Sequence, residues 1–221
     1  MTYASATFDV GLELPREWYT VDPSTDDLSA AIGRVVDERL ATDPRLVPLR
    51  AGLVDSLVEL GLDARTKNAL LAAALIDPSE DRFSVAHLLF FLTSRDPAGP
   101  SGDHNGGPDH SRPPESVDEI AARLQQPRDG DIGPRYVKIV DLPAGRGVCV
   151  RFMAETDRDE QNRAFALECV QYWIPVAGTN EVMIGSFTTP MLARADEFAA
   201  MFEDVVGTLS IHVGQDDRGV S

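Results

Sequence analysis

YVKIVDLPAGRGVCVRFMAET (136–156) is the stretch whose reading decides the fold. Two runs rich in β-branched and apolar residues, YVKIVDL (136–142) and VCVRFMAET (148–156), flank PAGRG, whose proline and glycines favour a turn. They read as a β-hairpin. The pattern then repeats, with DRDEQN turning into FALECVQYWIPV (165–176) and AGTN turning into EVMIGSFTT (181–189). Four consecutive strands with short connections make an antiparallel meander. Val148–Phe152 and Val170–Ile174 are apolar on both alternating sets, so helices are expected over both faces of the sheet.

Upstream, TFDVGLEL (7–14) alternates with the period of a half-buried strand, and Pro15 ends it. Trp18 and Tyr19 are expected to fold back as an aromatic plug. Ser24, Asp26 and Asp27 open a helix with Leu28, Ile32, Val35, Val36 and Leu40 as its buried stripe. A second helix is expected over Leu46–Leu60, ended by Gly61. KNALLAAALID (67–77) has helix-forming composition, yet it is short and continuously apolar. With FSVAHLLFFLT (83–93) beyond a Pro/Ser/Asp turn, a buried hairpin is favoured over a pair of helices.

Residues 95–115 have almost no apolar content, a composition that cannot offset ordering entropy, so a disordered insert is expected there. Ser116 and Glu119 form a capping box at the start of SVDEIAARLQ, with Val117, Ile120 and Leu124 inward. After Pro190 comes a closing helix carrying Phe198, Met201, Phe202, Val205 and Leu209 at helical spacing. The whole reads as one α+β domain over residues 1–214, with 215–221 a flexible tail. Its core is a single antiparallel sheet of about seven strands with helices packed on both faces.

FDVGLELPREWYTVD near the start and EVMIGSFTTP followed by EFAAMFEDVVGTL near the end carry a resemblance. An apolar strand, Pro and Trp at the entry, then a last strand, Thr-Pro turn and closing helix, resemble the PsbP-like α/β/α sandwich superfamily. Its members include the photosystem II extrinsic subunit, the yeast Ran-binding Mog protein, DcrB and the mycobacterial LpqN-type lipoproteins. The resemblance implies a non-enzymatic accessory or binding module and carries over no catalytic residue.

With 221 residues and a net charge of −16, the chain is a poor partner for a phosphate backbone or an anionic membrane surface. Such acidity serves solubility, or contact with a basic protein. Only Lys67 and Lys138 stand beside eighteen arginines, a coding bias of GC-rich, actinobacterial-type genomes. No apolar run reaches the ~18 residues of a membrane span. No basic, apolar leader opens the chain, and a cytoplasmic location is expected.

Candidates for chemistry are few. GDHNGGPDH (102–110) offers His104, His110, Asp103 and Asp109, but glycine-rich slack is the opposite of a rigid metal site, so it reads as a tether. DRDEQNRAFALE (157–168) places Asp157, Asp159, Gln161 and Glu168 like calcium ligands, yet Asn162 replaces the required glycine, and a polar hairpin turn fits better. A turn centred on Asp159 sets Cys149 opposite Cys169. Two reduced thiols are expected there, with a disulfide as the alternative. His87 lies in an apolar strand and reads as a core or edge histidine. No phosphate loop, nucleophile elbow, dinucleotide fingerprint or zinc motif is present.

The expectation is a module without catalytic, cofactor or metal site that binds a protein partner, with Trp18, Tyr19 and Trp173 as contact aromatics. The alternative is a small-molecule domain with a pocket between sheet and helices. Exposed aromatics would favour the first, and an apolar cavity with a few convergent polar groups the second.

Overall fold

The computed structural model describes residues 7–42, 44–79, 82–94, 115–156 and 164–214. In chain order they form β1 (Thr7–Gly11), β2 (Trp18–Val21), α1 (Leu28–Thr42), α2 (Arg50–Thr66), β3 (Leu71–Ser79), β4 (Arg82–Ser94), α3 (Val117–Leu124), β5 (Asp131–Leu142), β6 (Gly145–Glu155), β7 (Ala166–Pro175), β8 (Glu181–Thr189), α4 (Ala195–Val206) and β9 (Ser210–Gly214). The fold is α+β. Seven strands make one antiparallel sheet in the order β2-β3-β4-β8-β7-β6-β5. The meander β5–β8 winds back from the far edge until β8 closes on β4, joining the two halves of the chain.

Period-two alternation divides the sheet into two buried faces. One packs on α4, where Phe198, Phe202, Val205 and Val206 meet Trp18, Phe90, Tyr172, Met183 and Phe187. The Phe187 and Phe202 rings stack with centroids 4.6 Å apart. Burial of each such ring stabilises the fold by about 1.5–3 kcal/mol. Gly185 makes the arrangement possible, because a Cβ there would lie 2.5 Å from Phe90 Cε1. On the opposite face, α1 and α2 cover Ala72, Ala74, Ile76 and Leu89, while α3 covers Val148, Val150 and Phe152.

The capping box at α3 forms as the sequence requires: Glu119 N donates to Ser116 Oγ at 3.3 Å, and Ser116 N donates to Glu119 Oε2 at 2.7 Å. Asp27 caps α1, accepting from Ala30 N at 3.0 Å. Residues 67–77 resolve in favour of the strand, since β3 and β4 pair from Leu71↔Phe90 to Ser79↔Arg82.

Six expectations are corrected. The Trp18 ring does enter the core, but Trp18 and Tyr19 are not a loop plug: they start β2, an edge strand paired with β3 through Trp18↔Leu75 and Tyr19↔Ala74. The first strand leaves the main sheet and pairs with β9 from Thr7↔Gly214 to Gly11↔Ser210. That partner exists because the closing helix stops at Val206, short of Leu209, with Gly207 at its C-cap, and Ser210–Gly214 is extended. Helix α2 begins at Arg50, because Pro48 lacks an N–H to donate and keeps Pro44–Leu49 in a 3₁₀ turn. Gly61 does not end that helix; it sits inside α2, where a Cβ would come 2.6 Å from Leu28 Cδ2, so its role is close approach to α1.

Finally, the cysteines do not face each other. Cys149 pairs with Tyr172 and Cys169 with Phe152, a register three residues from the expected one. An odd shift exchanges faces. Cys149 therefore joins the core under α4 and Cys169 the core under α3, and both are free thiols. Residues 95–114 of the expected insert and all of DRDEQN (157–162) lie outside the described residues.

Candidate functional site

The face carrying α1, α2 and α3 is not covered evenly. The α1–α2 pair shields β2, β3 and β4, and α3 shields the region of β5, β6 and β7. Between them, three central strands turn polar: His87 on β4, Ser186 and Thr188 on β8, and Gln171 on β7. Register puts these on one face, since His87 lies opposite Thr188, Leu89 opposite Ser186, and Ser186 opposite Gln171. The other face of β8 shows no such break, with Met183 and Phe187 completely buried.

Above this polar row lies a cavity of about 760 Å³. Helix α2 supplies one wall through Leu53, Leu57 and Leu60, and the sheet supplies another through Ala74, Ile76 and Leu89. Ser56 reaches down from α2 so that its Oγ lies 3.1 Å from His87 Nε2. Burial holds the His87 imidazole below its ordinary range, against the weaker opposing pull of Asp63. It is therefore neutral at pH 7 and offers one donor and one acceptor nitrogen. Gln171 Oε1 accepts from Trp173 Nε1 at 3.2 Å, which leaves the amide NH₂ of Gln171 to donate elsewhere. Lys67, the cation among the described lining residues, is ion-paired with Asp63.

No protein-family model matches the chain, and no curated protein matches it at a significant level. The cavity must speak for itself.

The contact aromatics named from sequence are placed as follows. Trp18 is 6 % exposed and packs edge-on to Phe187 with centroids 6.4 Å apart, so its ring belongs to the core. Tyr19 is half-buried beneath Arg39, and Trp173 half-buried beneath the Arg123 guanidinium at 5.0 Å. Among the described residues, the most exposed large apolar side chain is instead Tyr136 on the edge strand β5, at 68 %.

Two further clefts among the described residues are ionic. One of about 590 Å³ near α4 contains Lys138 held by Glu203 at 3.1 Å; another of about 770 Å³ contains Arg151, which bonds buried Glu168 and reaches Asp196 at 2.7 Å. Glu168, the last of the residues spaced like calcium ligands, is thus engaged by an arginine. No group of three or more metal-ligating side chains occurs among the described residues, whereas His104 and His110 lie outside them. No described helix is long and apolar enough to cross a membrane.

Sequence reasoning read His87 as a core or edge histidine and singled out none of the other residues of the polar row. A signal was available: Gln171, Ser186 and Thr188 interrupt strands that are otherwise apolar. Only the pairing of β4, β8 and β7 shows that the interruptions share one face.

Proposed function

We propose that this protein is a non-catalytic binding module of the PsbP-like kind whose ligand is a small, largely apolar molecule held between α2 and the sheet. One observation carries the reading: the cavity of about 760 Å³ combines apolar walls with a convergent row of His87, Gln171, Ser186 and Thr188. Ligand sites are built in that way, with apolar enclosure for affinity and a few polar groups for orientation. Ser56 and His87 do not by themselves make a hydrolytic pair. Ser56 lies inside α2, so its neighbouring backbone N–H groups are committed to the helix and cannot form an oxyanion hole. Cys169, pushed up to about 11 mainly by burial, has no thiolate character at neutral pH.

Titration with Nile red, an uncharged apolar dye, tests the proposal. Saturable binding is expected, weakened about tenfold or more by Ser186→Phe, which fills the cavity from β8. Circular dichroism and the melting temperature report whether the variant keeps its fold. Absence of saturable binding, or equal binding by a folded S186F protein, would overturn the proposal.

A further inference from the structure

The polar lining also specifies what kind of head group the cavity takes. We propose that the ligand is an uncharged lipophile bearing a single hydroxyl or carbonyl group, anchored by Gln171, His87 and the hydroxyls of Ser186 and Thr188. This rests on the cavity being a ligand site and goes further by assigning the ligand's chemistry.

Charge accounting on the lining excludes ions. The row His87, Gln171, Ser186 and Thr188 carries no formal charge while His87 is neutral, as burial keeps it. Lys67 is already neutralised by Asp63, so a ligand carboxylate or phosphate finds no uncommitted cation among the described lining residues. Glu59 adds a negative charge at the lining, which further opposes an anion. A ligand ammonium would meet Asp63 only by displacing Lys67; Glu59 is solvent-exposed and offers it only a water-screened carboxylate, and along the polar row it would find no counter-ion. Moving either ion out of water into apolar surroundings without a partner is costly, whereas a hydroxyl needs only hydrogen bonds.

Hydrogen-bond accounting then selects the neutral group. The Gln171 amide, with its oxygen taken by Trp173, presents N–H donors that suit a hydroxyl or carbonyl oxygen. The Ser186 and Thr188 hydroxyls both donate and accept, so they can take a hydroxyl proton as well, while His87, its Nε2 engaged by Ser56 Oγ, offers only its other ring nitrogen. The apolar walls from Leu53, Leu57, Leu60 and Ile76 fit an aliphatic or alicyclic body.

The experiment is displacement of Nile red from the full chain at neutral pH by 1-dodecanol, dodecanoate and dodecylamine, each below its aggregation limit. Dodecanol is expected to displace the dye at a concentration about tenfold or more below either ion. Gln171→Met should abolish most of that preference, each displacement being referred to the dye affinity measured for the same variant. Equal or tighter binding of dodecanoate or dodecylamine overturns the head-group assignment but leaves the cavity as a ligand site. Failure of all three to displace bound dye also overturns the assignment. Failure of the dye itself to bind overturns the underlying ligand-site reading.

Discussion

His87 Nε2 and Ser56 Oγ, 3.1 Å apart, tie the fourth strand of the chain to the middle of α2. The contact spans the cavity wall, joining the sheet to the helix that covers it. Because the imidazole is buried, its protonation is coupled to the stability of this whole side of the molecule.

That coupling has a definite sign. Burial lowers the His87 pKa below the ordinary 6.5, so as pH falls the unfolded chain takes up this proton before the folded protein does. The neutral imidazole therefore imposes no penalty above about pH 6.5 and a growing one below it. Urea midpoints from about pH 8 to about pH 5 should fall, and fall less steeply for His87→Gln. Parallel curves for the two proteins would show that His87 is not held neutral.

Phe90 occupies the space that Gly185 leaves vacant. Phe90 is itself wholly buried and packed edge-on against Phe187 at 6.1 Å, so the ring has little room to move. Gly185→Ala is expected to cost about 1–3 kcal/mol through overpacking, although alanine has no backbone disadvantage in a strand. Equilibrium denaturation measures this, and an unchanged midpoint would mean that the core around Phe90 is loose.

Ser116 should matter by the amount typical of a helix cap. Ser116→Ala removes the acceptor for Glu119 N and half of a reciprocal pair, and about 1 kcal/mol of stability should be lost. Ser116→Asp, which restores an acceptor at the N-terminus, should recover most of it. Failure of aspartate to rescue would separate capping from other effects of the substitution.

The cysteines should behave as two independent, protected thiols. Burial raises both thiols, Cys169 to about 11, and the sheet lies between their side chains. Ellman's reagent should therefore react slowly with the native protein and rapidly after unfolding in guanidinium. Mild oxidation should leave the melting temperature unchanged. A fast native reaction, or a disulfide-dependent shift, would contradict the register of β6 on β7.

Much of the architecture is local and could be read without coordinates. The meander, the β3–β4 hairpin and the α3 capping box rest on period-two alternation, turn residues and a three-residue spacing, all visible within a few positions. What failed was whatever required a distant partner. Gly61 looks like a helix stop until Leu28 from α1 is laid against it. Trp18 looks like a plug in a loop until β3 pairs with its strand, and Phe202 packs against its ring at 6.3 Å. The strand at Ser210–Gly214 has no meaning without β1, almost the entire chain away.

The amino-acid sequence by itself thus determined the type of most elements, the α+β class and the need for helices on both faces, because each follows from nearest-neighbour patterning. Tertiary structure alone decided the register and the site. A three-residue difference in pairing moved Cys149 and Cys169 to opposite faces, since side chains alternate with every residue. The same alternation aligned His87, Thr188, Ser186 and Gln171 beneath α2, turning isolated polar residues from three strands into the lining of one cavity.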